Sequence, residues 1–173
     1  KAFAILLRAN DLKNTDLWLK LMDKNQPNSV YTYMSYELQR FAKPAKVAYS
    51  PSELILPPLA SPELVLDKDK RVLLRFYRVM STFGYQVPQA TLAALHVTLD
   101  GVRPATKFPE LLTEQAEKGN LAGVILQSIL AQAGKDLASM DDASVVAICK
   151  GLQKAGDAAL ARKFAIDAVL ANF

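Results

Sequence analysis

The densest cluster of charged side chains lies between residues 68 and 78, where five bases accompany the single acid Asp69. Three of the bases, Arg71, Arg75 and Arg78, follow the i, i+4, i+7 spacing that places side chains on one face of a helix. A guanidinium group forms paired hydrogen bonds with a carboxylate or a phosphate. This face is therefore predicted either to dock an acidic partner or to remain solvated.

Two kinds of acidic partner suit such a face, an acidic peptide or protein and a nucleic acid. Three arginines are few for nucleic acid, because several phosphate contacts normally supply its affinity. The net charge of +4 over 173 residues is also mild, and it permits an acidic partner without requiring one. We expect a protein or peptide partner, with nucleic-acid binding as the alternative.

A second candidate group combines Tyr33, Tyr36 and Arg40 on one face of a predicted helix. Tyrosine offers a large contact area with a polar tip, and it is enriched at protein interfaces. Residues that cap the edge of a hydrophobic core show the same pattern. The tyrosines are thus predicted either to bind a partner or to close the core.

Residues suited to catalysis or metal binding are scarce. His96 is the single histidine and Cys149 the single cysteine, which excludes paired-histidine metal sites, cysteine zinc sites and an internal disulfide. Asp141 and Asp142 lie at a predicted helix start, where capping explains them. A Ser–His–Asp set stays compatible with the sequence, because its members need not be neighbours. We predict no enzymatic activity and no cofactor, with Cys149 in the core.

The overall composition is that of a globular protein, with 51% apolar and 22% charged residues. The longest uncharged stretch, residues 79–99, is interrupted by glycine, proline and glutamine, so no membrane span is predicted. Lys1 is not a start methionine. We expect that a preceding segment was removed or that the chain is part of a longer one, which leaves the compartment open.

Apolar residues recur at helical spacing, and strand-type alternation is absent, so the fold is predicted to be all-α. Trp18 is expected to fill space in the core or between helices. The stretch S-M-D-D that starts at Ser139 resembles a capping box, a pattern that marks the start of a helix. The predicted helices cover approximately 1–9, 15–23, 29–43, 67–83, 88–99, 109–118, 120–133, 140–155 and 157–170.

Residues 44–67 contain five of the nine prolines but many leucines. Proline excludes long regular structure, while the leucines favour an extended segment docked on the helices, with one-turn helices at 50–53 and 61–63. A plain interdomain linker is the alternative. The predicted organisation is one continuous domain, with N-terminal helices at 1–43, the docked segment at 44–67 and a helical-hairpin array at 68–173. We hypothesise that in the free protein this segment occupies the groove in which a partner binds, and that the partner displaces it.

Glycines that are predicted to end helices lie at 84, 101, 119, 134 and 156. The distance from one of these glycines to the second one after it, which spans two helices, is 33 to 37 residues. Stacked helical hairpins require such a spacing, since each hairpin leaves an apolar face for its neighbour to cover. An irregular helical bundle is the alternative.

Residues 143–170 resemble a tetratricopeptide repeat. That family pairs a bulky and a small residue in the first helix, then has a Gly-Asp turn and two small residues in the second helix. Gly156, Asp157, Ala161 and Ala168 match this pattern, while Ile148 stands where leucine is usual and Leu152 where an aromatic residue is usual. Cys149 stands where glycine is usual, and Ala165 takes the place of an aromatic residue, with Phe164 just before it.

The resemblance implies an α-solenoid of stacked antiparallel hairpins whose first helices line a concave surface. Lys150, Gln153 and Lys154 would lie on that surface and could hold a carboxylate of a bound peptide. Lysines near a helix C-terminus are also ordinary solvated residues that favour the helix dipole. The predicted function is a non-catalytic protein–protein interaction scaffold. The alternatives are a nucleic-acid-binding helical domain and a structural or assembly domain of a larger protein.

Overall fold

A computed structural model describes residues 2–43, 54–100 and 107–173. Within these ranges the regular structure is helical and contains no β-strand, which confirms the all-α prediction. None of these helices is long and apolar enough to cross a membrane. The helices are α1 (Ala2–Arg8), α2 (Leu12–Asn25), α3 (Val30–Ala42), α4 (Asp67–Thr82), α5 (Gln89–Leu95), α6 (Phe108–Glu117), α7 (Leu121–Gln132), α8 (Asp142–Lys154) and α9 (Ala158–Leu170).

The chain forms two compact units. The first runs to Thr98 and includes Phe173, and the second covers Leu99–Asn172. In the first unit α2 packs on α1 and α3, and α3 packs on α4. Its largest fully buried side chains come mainly from α3 and α4, and those on these two helices are Met34, Leu38, Phe41, Leu73, Phe76, Tyr77, Val79 and Met80.

The described part of the proline-rich segment lies against the first unit. Leu56 is fully buried, and its amide donates a 2.9 Å hydrogen bond to the carbonyl of Gln86. The Gln86 amide donates in turn to the Leu54 carbonyl at 2.7 Å. A 3-10 turn follows at Pro62–Leu64, where the sequence predicts a one-turn helix. The other predicted turn, at 50–53, lies outside the described residues.

The second unit contains the helices α6 to α9. α6 packs on α7, α8 packs on α9, and α8 also contacts both α6 and α7. The predicted small residues of α9 are fully buried, as close helix packing requires, and they are Ala161, Ala165 and Ala168. Cys149 is buried as well, and burial raises the pKa of its thiol to about 12, so this thiol is not an activated nucleophile.

Several predicted helix ends are confirmed. Gly84, Gly119, Gly134 and Gly156 all adopt a positive φ after a helix, a conformation that glycine reaches at little cost. The predicted stop at Gly101 lies outside the described residues. Three helices begin at a side-chain N-cap that accepts from a backbone amide of its own helix, and these caps are Ser29 of α3, Asn120 of α7 and Asp157 of α9.

Three other predictions are wrong. α5 ends at Leu95 rather than Leu99, because His96 adopts a left-handed conformation with φ 55° and the Val97 amide bonds back to Leu92. The predicted capping box at Ser139 is not formed, because Asp141 caps α8 by accepting from the Ser144 amide at 2.9 Å.

Trp18 is 42% exposed on α2 instead of lying in the core. The buried side of α2 is occupied by smaller side chains, those of Thr15 and Leu19. The single tryptophan is therefore available at the surface of the first unit.

Candidate binding pocket

A pocket of about 380 Å³ opens in the first unit between α3, the loop before it and residues 57–60. Prolines, tyrosines and carboxylates dominate its lining. The lining residues are Asp23, Pro27, Asn28, Ser29, Thr32, Tyr33, Tyr36, Glu37, Pro57, Pro58, Leu59 and Ala60.

The loop at one side of the pocket is held by the first turn of α3. Ser29 caps this helix by accepting from the Tyr31 amide at 3.2 Å. The hydroxyl of Thr32 donates to the carbonyl of Gln26 at 2.9 Å. These bonds satisfy polar groups at the helix start and fix Pro27 and Asn28 beside the pocket.

Tyr33 joins α3 to the proline-rich segment. Its hydroxyl donates to the carbonyl of Pro57 at 2.9 Å. Its ring meets those of Phe76 and Tyr77 edge-on, with centroids 6.1 and 6.4 Å away. Burial raises the pKa of Tyr33 well above its ordinary value, and burial raises that of Tyr77 to about 12. Both phenols therefore stay neutral, and Tyr33 anchors the opposite side of the pocket.

Glu37 places a carboxylate in the lining, one turn after Tyr33. Its side chain is only 9% exposed, and its Oε2 atom lies 2.7 Å from a guanidinium nitrogen of Arg40. The Arg40 guanidinium also lies over the ring of Tyr85, 5.8 Å from its centroid. Burial raises the pKa of Glu37, and the charge of Arg40 only partly opposes this effect. A carboxylate is therefore held largely out of water.

Tyr36 lies at the open side of the pocket and is 40% exposed. Its pKa is raised by partial burial and then by the negative charges of Asp23 and Asp16. Among the described residues that line the pocket, none is a lysine or an arginine. The electrostatic environment of the Tyr36 ring is therefore acidic.

The structure brings Tyr33 and Tyr36 together in this pocket and adds residues that the sequence analysis missed, Glu37 and Pro57–Leu59. A signal for Glu37 was available, since it follows Tyr33 at i+4 on the same helix. The contribution of the prolines could not be recognised from the sequence, because the Tyr33–Pro57 contact joins residues that are 24 positions apart.

The three arginines of α4 do not form one open face. Arg71 is exposed and Arg78 partly exposed, but Arg75 is only 7% exposed. α4 is buried over a wide arc of its circumference, and Arg75 lies at the edge of that arc, one turn before Val79. The spacing correctly placed the arginines on neighbouring turns, but it could not show how far the core reaches around the helix.

The predicted group on α8 already has contacts inside the second unit. The side-chain amide of Gln153 donates to the Cys149 carbonyl at 3.2 Å. The Lys154 ammonium donates to Glu117 at 3.2 Å, and Lys150 is exposed. The two lysines lie near the end of α8, where they also suit the helix dipole.

No family model, curated protein or solved structure matches this chain. Among the described residues, no group of three or more His, Cys, Asp or Glu side chains is placed to hold a metal ion. The residues that line the pocket indicate which ligands it can bind. It offers aromatic and proline surfaces, a nearly buried carboxylate and a second carboxylate at Asp23.

Proposed function

We propose that this chain is a non-catalytic protein–protein interaction module, and that it binds a segment of its partner in the pocket of Tyr33 and Tyr36. The pocket itself carries the proposal. Its volume of about 380 Å³ falls in the range of roughly 300–1,000 Å³ that is usual for binding sites. It also combines a half-exposed tyrosine with apolar proline surfaces, a composition typical of protein interfaces.

The helical framework supports the same function. In the second unit, α8 packs on α6, α7 and α9. The first helix of the second hairpin would make these contacts in a stack of two tetratricopeptide-like hairpins. Solenoids of this kind serve as binding scaffolds with extended surfaces. We therefore propose that the second unit is a short stack of helical hairpins.

Exposed apolar side chains on two helices also support an interaction role. α2 exposes Leu17, Trp18 and Leu21, and α7 exposes Leu126, Ile129 and Leu130 by 56–59%. Tryptophan is prominent among the residues that dominate binding energy at interfaces. Clustered exposed apolar residues are more informative than scattered ones.

The nucleic-acid alternative has less support. It depended on three arginines acting from one helix face, and Arg75 is buried. Nucleic-acid affinity comes largely from several phosphate contacts, which Arg71 and Arg78 alone would not supply. The acidic pocket would repel a phosphate backbone. The interaction module is therefore the better-supported function.

Site-specific photo-crosslinking tests this function. A photoreactive phenylalanine analogue replaces Tyr36 in one form of the chain and the exposed Lys163 of α9 in a control form, and both are irradiated in the source cells. We expect a discrete adduct with one protein from the Tyr36 position and not from the Lys163 position. Identical adducts from both positions, or no adduct from Tyr36, would contradict the proposal.

A further inference from the structure

We infer that the group bound in the pocket is a basic side chain, an arginine or a lysine, within an extended peptide segment of the partner protein. This inference rests on the proposed function, and it names the chemistry of the segment that the pocket recognises. It differs from the expectation drawn from the sequence, which was an acidic partner bound by arginines.

The charges of the pocket favour a cation. Glu37 and Asp23 contribute carboxylates to the lining, and no lysine or arginine stands among the described lining residues. The Glu37 side chain is 91% buried, which follows from its exposed fraction of 9%, and a carboxylate held out of water is stabilised by each further counter-charge. The guanidinium of Arg40 forms an ion pair with the Oε2 atom of Glu37, but Arg40 does not line the pocket. A bound cation would add a second counter-charge from the pocket side.

The aromatic and proline surfaces suit the rest of a basic side chain. Lysine and arginine carry apolar methylene stems that pack on such surfaces while the charged head stays polar. The half-exposed Tyr36 ring offers a face for a cation–π contact, which arginine makes most often. Pro58 and Leu59 add apolar surface to the same lining.

The size of the pocket favours a peptide over a free amine. A volume of about 380 Å³ exceeds that of one side chain, so flanking residues of the ligand are needed to fill it. The apolar lining from Pro57 to Leu59 provides surface for those residues. An acidic segment is disfavoured, because it would face Glu37 and Asp23 at close range.

The test begins with selection from a display library of random dodecapeptides against the whole chain. A selected peptide is then synthesised with each basic residue replaced by citrulline, which keeps the shape of arginine without its charge. Dissociation constants are measured by fluorescence anisotropy for the parent chain and for Tyr36→Ala, Glu37→Gln and Asp23→Asn. Glu63→Gln, an exposed acid of the same unit outside the pocket, is the matched control.

We expect recovered peptides to contain a basic residue. Its replacement by citrulline should weaken binding about tenfold or more, the usual effect of losing a charge-assisted hydrogen bond. Glu37→Gln should weaken binding by a similar factor, Asp23→Asn by less, and Glu63→Gln not at all. Asp23→Asn keeps the inference testable if Glu37→Gln fails to fold, because Asp23 is exposed.

The other outcomes separate the inference from the proposed function. Selected peptides that bind through Tyr36 but lack a basic residue would overturn the inference and leave the function standing. Recovery of no peptide that depends on Tyr36 would overturn both. Spermidine that competes as strongly as the peptide at equal concentration would show a free polyamine site, and it would also overturn the inference.

Discussion

Gly151 of α8 lies against Leu112 of α6 so closely that a Cβ atom at position 151 would overlap the Leu112 Cδ2 atom. Both residues are buried, and Val124 of α7 lies beside the same spot. Glycine inside a helix is less favourable than alanine by up to about 1 kcal/mol. Its presence here is explained by the close approach of α6 and α8, which a side chain would prevent.

Gly151→Ala should therefore destabilise the second unit although alanine is the better helix former. Overpacking a core typically costs about 1–3 kcal/mol, which outweighs the helix-propensity gain. We expect the free energy of unfolding, measured with urea, to fall by about 1–2 kcal/mol. Combined with Leu112→Ala, the same substitution should cost much less, because the smaller residue makes room. Additive losses in this double-mutant cycle would contradict the packing explanation.

Gly156 offers a purely conformational comparison. It has a φ of +97°, and a Cβ atom at this position would have no neighbour within 4 Å. Gly156→Ala should lower the free energy of unfolding by about 1 kcal/mol, the usual cost of a left-handed conformation. Gly156→Asn should cost less, since asparagine tolerates this conformation. Equal losses for the two variants, measured by urea unfolding, would contradict this account.

The sequence predicts helix ends well where a single residue determines them. The four described glycine stops and the caps at Asn120 and Asp157 depend on local backbone chemistry, so they can be recognised without tertiary information. The end of α5 could not be recognised in that way, because His96 is a non-glycine residue in a left-handed conformation. At α8, two overlapping capping patterns compete, and the chain uses Asp141 rather than Ser139.

The arginines of α4 should differ sharply in their tolerance of charge reversal. Arg75→Glu puts a carboxylate at a site that is 7% exposed, and an uncompensated buried charge costs about 3 kcal/mol or more. Arg71→Glu changes an exposed residue and should alter the free energy of unfolding by about 0.5 kcal/mol or less. Thermal unfolding followed by circular dichroism compares them. Equal stability of the two variants would show that Arg75 is not buried in solution.

The hydrogen bond from Tyr33 to Pro57 should hold the proline-rich segment against α3. Tyr33→Phe removes only this hydroxyl and should cost about 1 kcal/mol. Hydrogen exchange should become faster at the Leu56 amide, which is bonded to Gln86 in the neighbouring bridge. Tyr31→Phe is the matched control, since the Tyr31 hydroxyl bonds to Asp69 of α4 instead. Faster exchange at Leu56 in both variants would contradict a specific role for Tyr33.

The pocket was only partly predictable for a physical reason. The spacing of Tyr33 and Tyr36 on a helix is a local property, and it identified two of the lining residues. Pro57 and Leu59 enter the pocket through a long-range contact, and side-chain periodicity carries no information about such contacts. The proline-rich composition indicated a docked segment, but it did not indicate which helix face would receive it.

Glu37 should make the stability of the protein depend on pH. Burial raises its pKa above the ordinary value of 4.5, so the folded state binds the proton more tightly than the unfolded state does. The folded chain is then favoured below pH 4.5, and it loses this contribution as pH rises through the raised pKa. The groups facing Glu37 are Arg40, Tyr33 and Tyr77, and neither tyrosine ionises in that window.

Urea unfolding of the parent chain and of Glu37→Gln between pH 4 and pH 8 measures this effect. We expect the free energy of unfolding of the parent, relative to the variant, to decrease as pH rises above 4.5 and then to level off. Glu63→Gln should leave the pH dependence of the parent unchanged, because Glu63 is exposed. If instead the parent gains stability relative to Glu37→Gln as pH rises, the ion pair with Arg40 dominates over burial.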